Sequence, residues 1–177
     1  STTVICSDKT GTLTLNQMTA TTFVTGGRRF DVDGLGYGTA GSISIDGDEL
    51  DTEQLATLRP ALIAGVLCND AHLRDEEGTP RLVGDPTEGA LVVLGAKGGL
   101  DPEAVRREFA RVDEVPFDST AKFMATLHPH PTQPGRSLLV VKGAPDVVIA
   151  RCSAVATSDG PEPIDDARRR ELLAVND

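Results

Sequence analysis

The sequence predicts an α/β fold in which an antiparallel sheet is flanked by helices. Two observations carry this prediction. Short stretches of alternating apolar and polar residues, separated by turns rich in glycine and proline, lie at 19–50 and at 122–142. Helical patterns with clear start signals lie between and after these stretches. A short strand before residue 19 is expected to belong to a neighbouring domain.

The first strands are predicted around a hairpin in the segment 19–50. The pair Gly26-Gly27 is typical of a two-residue hairpin turn, because glycine adopts positive φ without a steric cost. Phe30 and Val32 alternate along the next strand.

A glycine-rich stretch, DVDGLGYG, follows from Asp31. Its glycines lack the spacing of a dinucleotide-binding fingerprint, and the twelfth position counted from Asp31 is Ser42 rather than the glutamate of a calcium loop. We therefore predict turns here rather than a ligand-binding loop.

The first helix is predicted from Glu53 to Ala71. Apolar residues recur there at helical spacing, at Leu55, Leu58, Leu62 and Val66. Pro60 lies inside this pattern and predicts either a kink or two consecutive helices.

The second helix carries the clearest boundaries in the chain. Asp85 is a natural N-cap, Pro86 suits the first turn, and Glu88 completes an Asp-x-x-Glu capping box. Gly98 can end the helix. Further elements follow by the same reasoning, with helices at 101–110, 145–152 and 165–177 and strands at 122–130 and 136–142.

Composition limits the possible functions. The 17 basic and 27 acidic residues give a formal net charge of −10 with no basic stripe, which excludes nucleic acid as a partner. A nucleotide needs only a few local cations. Cys6, Cys68 and Cys152 are widely spaced, which argues against a disulfide framework or a zinc site and for a reducing compartment.

The chain itself is expected to be soluble and monomeric. No apolar run approaches the roughly 18 residues of a membrane helix, and no signal peptide opens the sequence. Because it starts in mid-strand without methionine, we expect it to be a piece of a longer protein.

The opening stretch ICSDKTGTLT suggests phosphoryl chemistry. Its pattern predicts a buried strand that stops abruptly and delivers Asp8 to a loop, in which Gly11 would let the backbone turn. An aspartate in this position can attack phosphorus and form an acyl phosphate. A phosphatase of this architecture has a second aspartate two residues later as acid and base, but here Thr10 occupies that position and cannot take a proton. Lys9 adds positive charge, so the site suits an aspartyl phosphate that persists.

The stretch DKTGTLTLNQM resembles the signature of P-type cation-transporting ATPases. The resemblance implies that ATP phosphorylates Asp8, that Lys9 and Thr10 assist catalysis, and that Asp8 and Thr10 contact Mg²⁺. It also divides the chain into 1–18, a segment of the phosphorylation domain with a hinge, and 19–177, a nucleotide-binding domain whose C-terminal end is truncated.

Other stretches resemble nucleotide-binding motifs of the same family, in the same order. FDVDGLGYGTAG and LCND are two of them. GDPTEGALVVL implies that Glu88 meets the adenine amino group, and VPFDSTAKFMATL implies that Phe117 stacks on adenine with Lys122 in the pocket. On the predicted strand after Phe117, Met124 shares a face with Lys122. VKGAPDVVIARC matches the Lys-Gly-Ala-Pro motif and implies that Lys142, Gly143 and Ala144 bind nucleotide.

Each nucleotide contact has a plainer alternative. Phe117 is one of few aromatic residues and suits base stacking, but it can instead be a core residue. Lys142 emerges from an apolar strand face, which favours an anionic partner, but it can instead extend to solvent. The capping box alone explains Glu88.

The resemblance also shows departures. The magnesium-binding TGDGVND loop, the actuator TGES motif and every membrane helix are missing, and the terminal AVND does not replace the first of these. The chain should therefore bind ATP without phosphorylating itself. The resemblance implies, as partners, the remaining phosphorylation, actuator and transmembrane domains of a multi-pass membrane protein whose nucleotide-binding region faces the cytoplasm. PFDSTAKFM is closer to calcium-type pumps.

Two other functions stay open at this point. One is a soluble phosphatase of the haloacid-dehalogenase type, which shares the Asp-x-x-Gly-Thr-Leu pattern but is disfavoured by Thr10. The other is a regulatory module that has kept the sequence without binding nucleotide.

Overall fold

The structure, a computed structural model, describes Val4 and residues 15–157 and 160–175. The strands are β1 (Thr22–Thr25), β2 (Arg28–Val32), β3 (Ile43–Ile45), β4 (Asp48–Glu49), β5 (His72–Glu76), β6 (Thr79–Val83), β7 (Asp113–Asp118), β8 (Phe123–Pro129), β9 (Ser137–Gly143), β10 (Ala154–Thr157) and β11 (Gly160–Pro163). The helices are α1 (Thr52–Leu67), α2 (Pro86–Lys97), α3 (Pro102–Glu108), α4 (Pro145–Arg151) and α5 (Asp166–Ala174).

All strand pairs within the described residues are antiparallel. One sheet has the order β1-β2-β3-β4 and another the order β7-β8-β9, while β5-β6 and β10-β11 form separate hairpins. Helices flank these antiparallel sheets. The predicted fold class, α/β with an antiparallel sheet flanked by helices, is confirmed.

The β1–β2 hairpin turns at the predicted glycine pair. Gly26 and Gly27 have φ of +57° and +73°, which a residue with a side chain adopts only at a cost. This turn places Phe30 and Val32 on the inner face of β2, where they are 4% and 7% exposed. The prediction for this hairpin is confirmed.

The first helix runs through its proline. Of the two predicted alternatives, that of two consecutive helices is wrong, because α1 is a single element from Thr52 to Leu67 with Pro60 inside it. A proline removes one backbone hydrogen bond. Burial of Leu58 before it and of Leu62 and Val66 after it, all in the same core, offsets that loss.

Helix α2 begins and ends where its caps predict. The Asp85 carboxylate accepts hydrogen bonds from the amides of Thr87, at 2.8 Å, and Glu88, at 3.2 Å. Burial acts to raise the pKa of the Asp85 carboxyl, but these amide donors hold it below its usual value. Gly98 is the C-cap. The caps fix where the first turn of α2 lies relative to the neighbouring sheet.

The core lies where α1 and α2 pack together and against the two larger sheets. Its buried members come from β2, β3, both helices, α3 and the inner face of β8 and β9, including Ile43, Leu62, Val66, Met124 and Val140. The three-stranded sheet is thereby held next to the start of α2, and a cleft opens between them.

Candidate functional site

A cleft of about 660 Å³ lies between the start of α2 and the β7-β8-β9 sheet. Eleven residues line it: Asp70, Asp85, Thr87, Glu88, Leu91, Phe117, Lys122, Met124, Lys142, Gly143 and Ala144. All of the described residues that the sequence predicts to bind nucleotide are in this set. Segments far apart in sequence therefore converge on one cavity.

Strand pairing brings the residues on the sheet side together. Met124 of β8 is the register partner of Lys142 in β9, and the next pair is Phe123 with Gly143. Lys142 shares the inward face of β9 with Val140, which is buried. The alternation of β9 therefore directs Lys142 into the cleft, as the sequence predicts.

Phe117 is not a core residue. It lies near the end of β7, where the pairing with β8 is irregular between Val115 and Asp118, and 63% of it is exposed. An aromatic ring of this size at the mouth of a cleft offers an open π-face. The alternative of a core position is wrong.

Lys122 reaches the cleft from a turn rather than from a strand. The prediction that it shares a strand face with Met124 is wrong in detail, because β8 begins at Phe123 and Lys122 has φ +58°. The backbone amide of Lys122 donates to the backbone carbonyl of Asp118 at 2.7 Å, and the Lys122 carbonyl accepts from the amide of Ala144 at 2.9 Å. The turn still places Lys122 and Met124 on the same cleft.

Glycine is needed at position 143 because of this turn. A Cβ on Gly143 would lie 2.4 Å from the Lys122 carbonyl oxygen and 2.6 Å from the Phe123 Cβ. The family resemblance implies that Gly143 binds nucleotide. The close neighbour in the structure is the chain's own backbone.

Glu88 and Lys142 form an ion pair across the cleft. Lys142 Nζ lies 2.6 Å from Glu88 Oε1, and the two side chains are 25% and 16% exposed. Glu88 Oε2 also accepts from the amide of Asp70 at 3.1 Å. The capping-box role predicted for Glu88 is wrong, because its carboxylate is directed to Lys142 and Asp70 and the carboxylate of Asp85 caps the helix.

Asp70, Asp85, Thr87 and Leu91 line the cleft without having been predicted as site residues. The turn that carries Asp70 is held from both sides. Asn69 donates to the carbonyl of Glu88 at 2.8 Å, and Arg111 donates to the Asn69 carbonyl at 2.7 Å and to Asp70 at 2.6 Å. The LCND tetrapeptide was the available sequence signal for this turn.

The predicted catalytic residues Asp8, Lys9 and Thr10 lie outside the described residues, and so does the predicted Mg²⁺ contact of Asp8 and Thr10. Across 15–157 and 160–175, no group of three or more His, Cys, Asp or Glu side chains is placed to hold a metal ion.

The family model for the P-type ATPase cytoplasmic domain N matches residues 57–177. The chain belongs to the P-type ATPase family. This assignment confirms the resemblance seen in the sequence and decides against a haloacid-dehalogenase-type phosphatase. No helix in the described part of this P-type ATPase domain is long and apolar enough to cross a membrane.

Curated relatives of this P-type ATPase domain carry matching names. The chain is 37% identical over 172 residues to a calcium-transporting ATPase of Bacillus subtilis, and the match covers 97% of this chain and 19% of that protein. It is 41% identical over 165 residues to the cation-transporting ATPase pma1 of Synechocystis, covering 90% and 18%. It is 41% identical over 152 residues to human calcium-transporting ATPase type 2C member 1, covering 85% and 16%. The chain thus spans less than a fifth of the length of these relatives.

Proposed function

We propose that this chain is the ATP-binding part of a cation-transporting P-type ATPase, in which ATP bound in the cleft phosphorylates Asp8. One observation carries the proposal: the residues predicted to hold the nucleotide converge from separate segments on one cleft of about 660 Å³. Convergence of this kind is what a binding site requires of residues that are distant in sequence.

The cleft has the groups that a nucleoside triphosphate needs. Phe117 offers a ring for the adenine base, and base–aromatic stacking is worth about 1–3 kcal/mol. Lys122 and Lys142 bring ammonium groups into the cleft, which favour an anionic ligand. Glu88 can accept from the adenine amino group with the lone pairs that Lys142 and Asp70 leave free, and Gly143 and Ala144 form the adjoining wall.

In the phosphorylation step, a carboxylate oxygen of Asp8 attacks the γ-phosphorus, the bond from phosphorus to the bridging oxygen breaks, and ADP leaves with the electron pair. Carboxylate and hydroxyl oxygens, which Asp8 and Thr10 supply, are donors that suit Mg²⁺. Mg²⁺ held there would offset the negative charge of the phosphates. Lys9 adds a further cation, and Thr10 leaves the acyl phosphate without a nearby base.

The proposal extends to the whole protein. Residues 1–18 belong to the phosphorylation domain and 19–177 to the nucleotide-binding domain. The remaining phosphorylation, actuator and transmembrane domains couple Asp8 phosphorylation to cation transport across a membrane, with this region on the cytoplasmic side. Calcium is the proposed cation, because it appears in the names of several relatives.

Stacking of adenine on Phe117 can be tested by replacing the ring. Phe117→Ala should lower the affinity for ATP by about 1–3 kcal/mol, and for ADP and AMP by nearly the same amount, since all three share the base. Because Phe117 is 63% exposed, the variant should keep its fold. Calorimetric titration with each nucleotide measures the effect.

Leu139→Ala is the matched control, since Leu139 is 60% exposed on the same sheet and does not line the cleft. Its nucleotide affinities should equal those of the wild type. A loss confined to ATP in Phe117→Ala would place the ring at the phosphates, and no loss would remove Phe117 from the site.

A further inference from the structure

Lys97, the last residue of α2, is buried away from the cleft. Only 7% of it is exposed, and it is not among the residues that line the cleft. Its Nζ donates to the carbonyl of Gly34 at 3.2 Å. Burial lowers the pKa of the Lys97 ammonium, and the charge of Asp33 opposes that effect. Burying an ammonium group without a hydrogen-bond partner costs folding free energy. The Gly34 carbonyl therefore has to stay next to Lys97, which fixes the position of the loop that carries Gly34.

The loop 33–41 closes around the lysine side chain. A Cβ on Gly34 would lie 3.0 Å from Lys97 Nζ, and a Cβ on Gly41 would lie 3.3 Å from Lys97 Cε. Both glycines have positive φ, of +89° and +130°. The Asp33 amide donates to the Ser42 carbonyl at 3.0 Å and joins the two ends of the loop. The glycine-rich loop 33–41 therefore encloses the Lys97 side chain.

The same loop holds the chain that precedes β1. The amide of Gly36 donates to the hydroxyl of Thr19 at 3.1 Å, and the Tyr37 hydroxyl donates to the carbonyl of Asn16 at 3.5 Å. A Cβ on Gly36 would lie 2.7 Å from Gln17 Oε1. The segment 16–19 thus packs directly on the loop, and in the sequence it follows the stretch that contains Asp8.

Helix α2 joins this loop to the cleft. Asp85, Thr87 and Glu88 line the cleft at the N-terminal end of α2. Lys97 contacts the loop at the C-terminal end, and the 12 residues of the helix separate the two ends by about 18 Å. Most of the helix between is buried, and its continuous backbone hydrogen bonds hold its two ends at a fixed separation.

We propose that Lys97 is a positioning residue for phosphoryl transfer. Lys97 holds the loop 33–41 in place, and the loop in turn fixes the position of residues 16–19 relative to the cleft. The position of this segment then determines how Asp8 approaches the nucleotide. The inference rests on the proposed function, and it adds a role for a residue that contacts no nucleotide-binding group.

Tyr37 provides a direct readout, because it is the single tyrosine of the chain. Incorporated 3-fluorotyrosine gives one ¹⁹F signal from the loop. Lys97→Met keeps the apolar stem and removes the ammonium, so the signal should move towards that of free fluorotyrosine and become narrower. The ATP affinity should stay within about twofold, because the cleft is unchanged. Arg74→Met, at an exposed position of β5, is the control and should leave the signal unchanged.

The positioning role is tested in the longer ATPase that carries this domain. Lys97→Met should slow phosphoenzyme formation at saturating ATP by about 10- to 100-fold, since small misplacements of reacting groups cost this much. The ATP concentration for half-maximal rate should change little. Lys97→Gln should recover part of the rate, because its amide can donate to the Gly34 carbonyl. A merely structural role would lower the amount of folded protein and not the rate per folded molecule.

The outcomes separate the two proposals. An unchanged Tyr37 signal, or an unchanged phosphorylation rate, in Lys97→Met would refute the role of Lys97 and leave the proposed function intact. Failure of the wild-type chain to bind ATP would refute the proposed function, and the positioning role with it.

Discussion

Exchanging Lys142 for alanine should lower the ATP affinity by about 10- to 100-fold. A hydrogen bond to a charged group contributes about 1.5–3 kcal/mol, and each 1.4 kcal/mol is a factor of ten in affinity. Lys142 is three-quarters buried and held 2.6 Å from Glu88, so its ammonium is oriented before a ligand arrives. Its removal leaves one ammonium, that of Lys122, among three carboxylates in the cleft lining.

The measurement is calorimetric titration with ATP, together with thermal unfolding to verify the fold. Arg74→Ala is the electrostatic control, because it removes the same charge from an exposed position of β5 outside the cleft. Its affinity should stay within about twofold of the wild type. Equal affinities for Lys142→Ala and the wild type would exclude Lys142 from the site.

Replacing Asp8 by asparagine in the longer ATPase should abolish the phosphoenzyme entirely. The amide keeps the shape and hydrogen-bonding capacity of the side chain but lacks the nucleophilic oxygen. ATP should still bind, and more tightly, because a carboxylate that faces the triphosphate repels it. The measurement is incorporation of labelled γ-phosphate into an acid-stable, hydroxylamine-sensitive product.

Asp8→Glu is a useful companion, since it keeps the carboxylate and displaces it by one methylene. A phosphoenzyme in Asp8→Asn would place the nucleophile at another residue. ATP binding that is lost in Asp8→Asn would assign Asp8 to nucleotide binding rather than to catalysis.

Local signals were sufficient to predict α2 and the β1–β2 hairpin. Capping by Asp85 and the turn at Gly26-Gly27 depend on residues within a few positions of each other, so the sequence contains the whole cause. The passage of α1 through Pro60 could not be predicted in this way, because the packing that offsets it comes from other elements.

The β5–β6 hairpin was missed for a related reason. No residue of its strands is buried, β5 carries three consecutive charged residues, and β6 contains Pro80, so the apolar pattern that predicts a strand is weak there. Pairing with each other, from His72 opposite Val83 to Glu76 opposite Thr79, defines these strands.

The sequence predicted many of the residues that line the cleft, but not the ion pairs and hydrogen bonds that these residues form with one another. Resemblance to family motifs identified Glu88 and Lys142 separately, but their ion pair joins residues 54 positions apart. Asp70 reaches the cleft through a turn that Arg111 holds from 41 positions away. Such long-range contacts follow from the packing of α1, α2 and the sheet, and a local pattern does not encode them.

The central claim is that ATP occupies the cleft between α2 and the β7-β8-β9 sheet. Titration of the ¹⁵N-labelled chain with ATP, followed by amide chemical shifts, tests it most directly. We predict saturable shifts at Glu88, Phe117 and Gly143. Saturable shifts confined instead to the cavity of about 210 Å³ beside Arg106 and Arg111, or no saturable shifts at all, would contradict the claim.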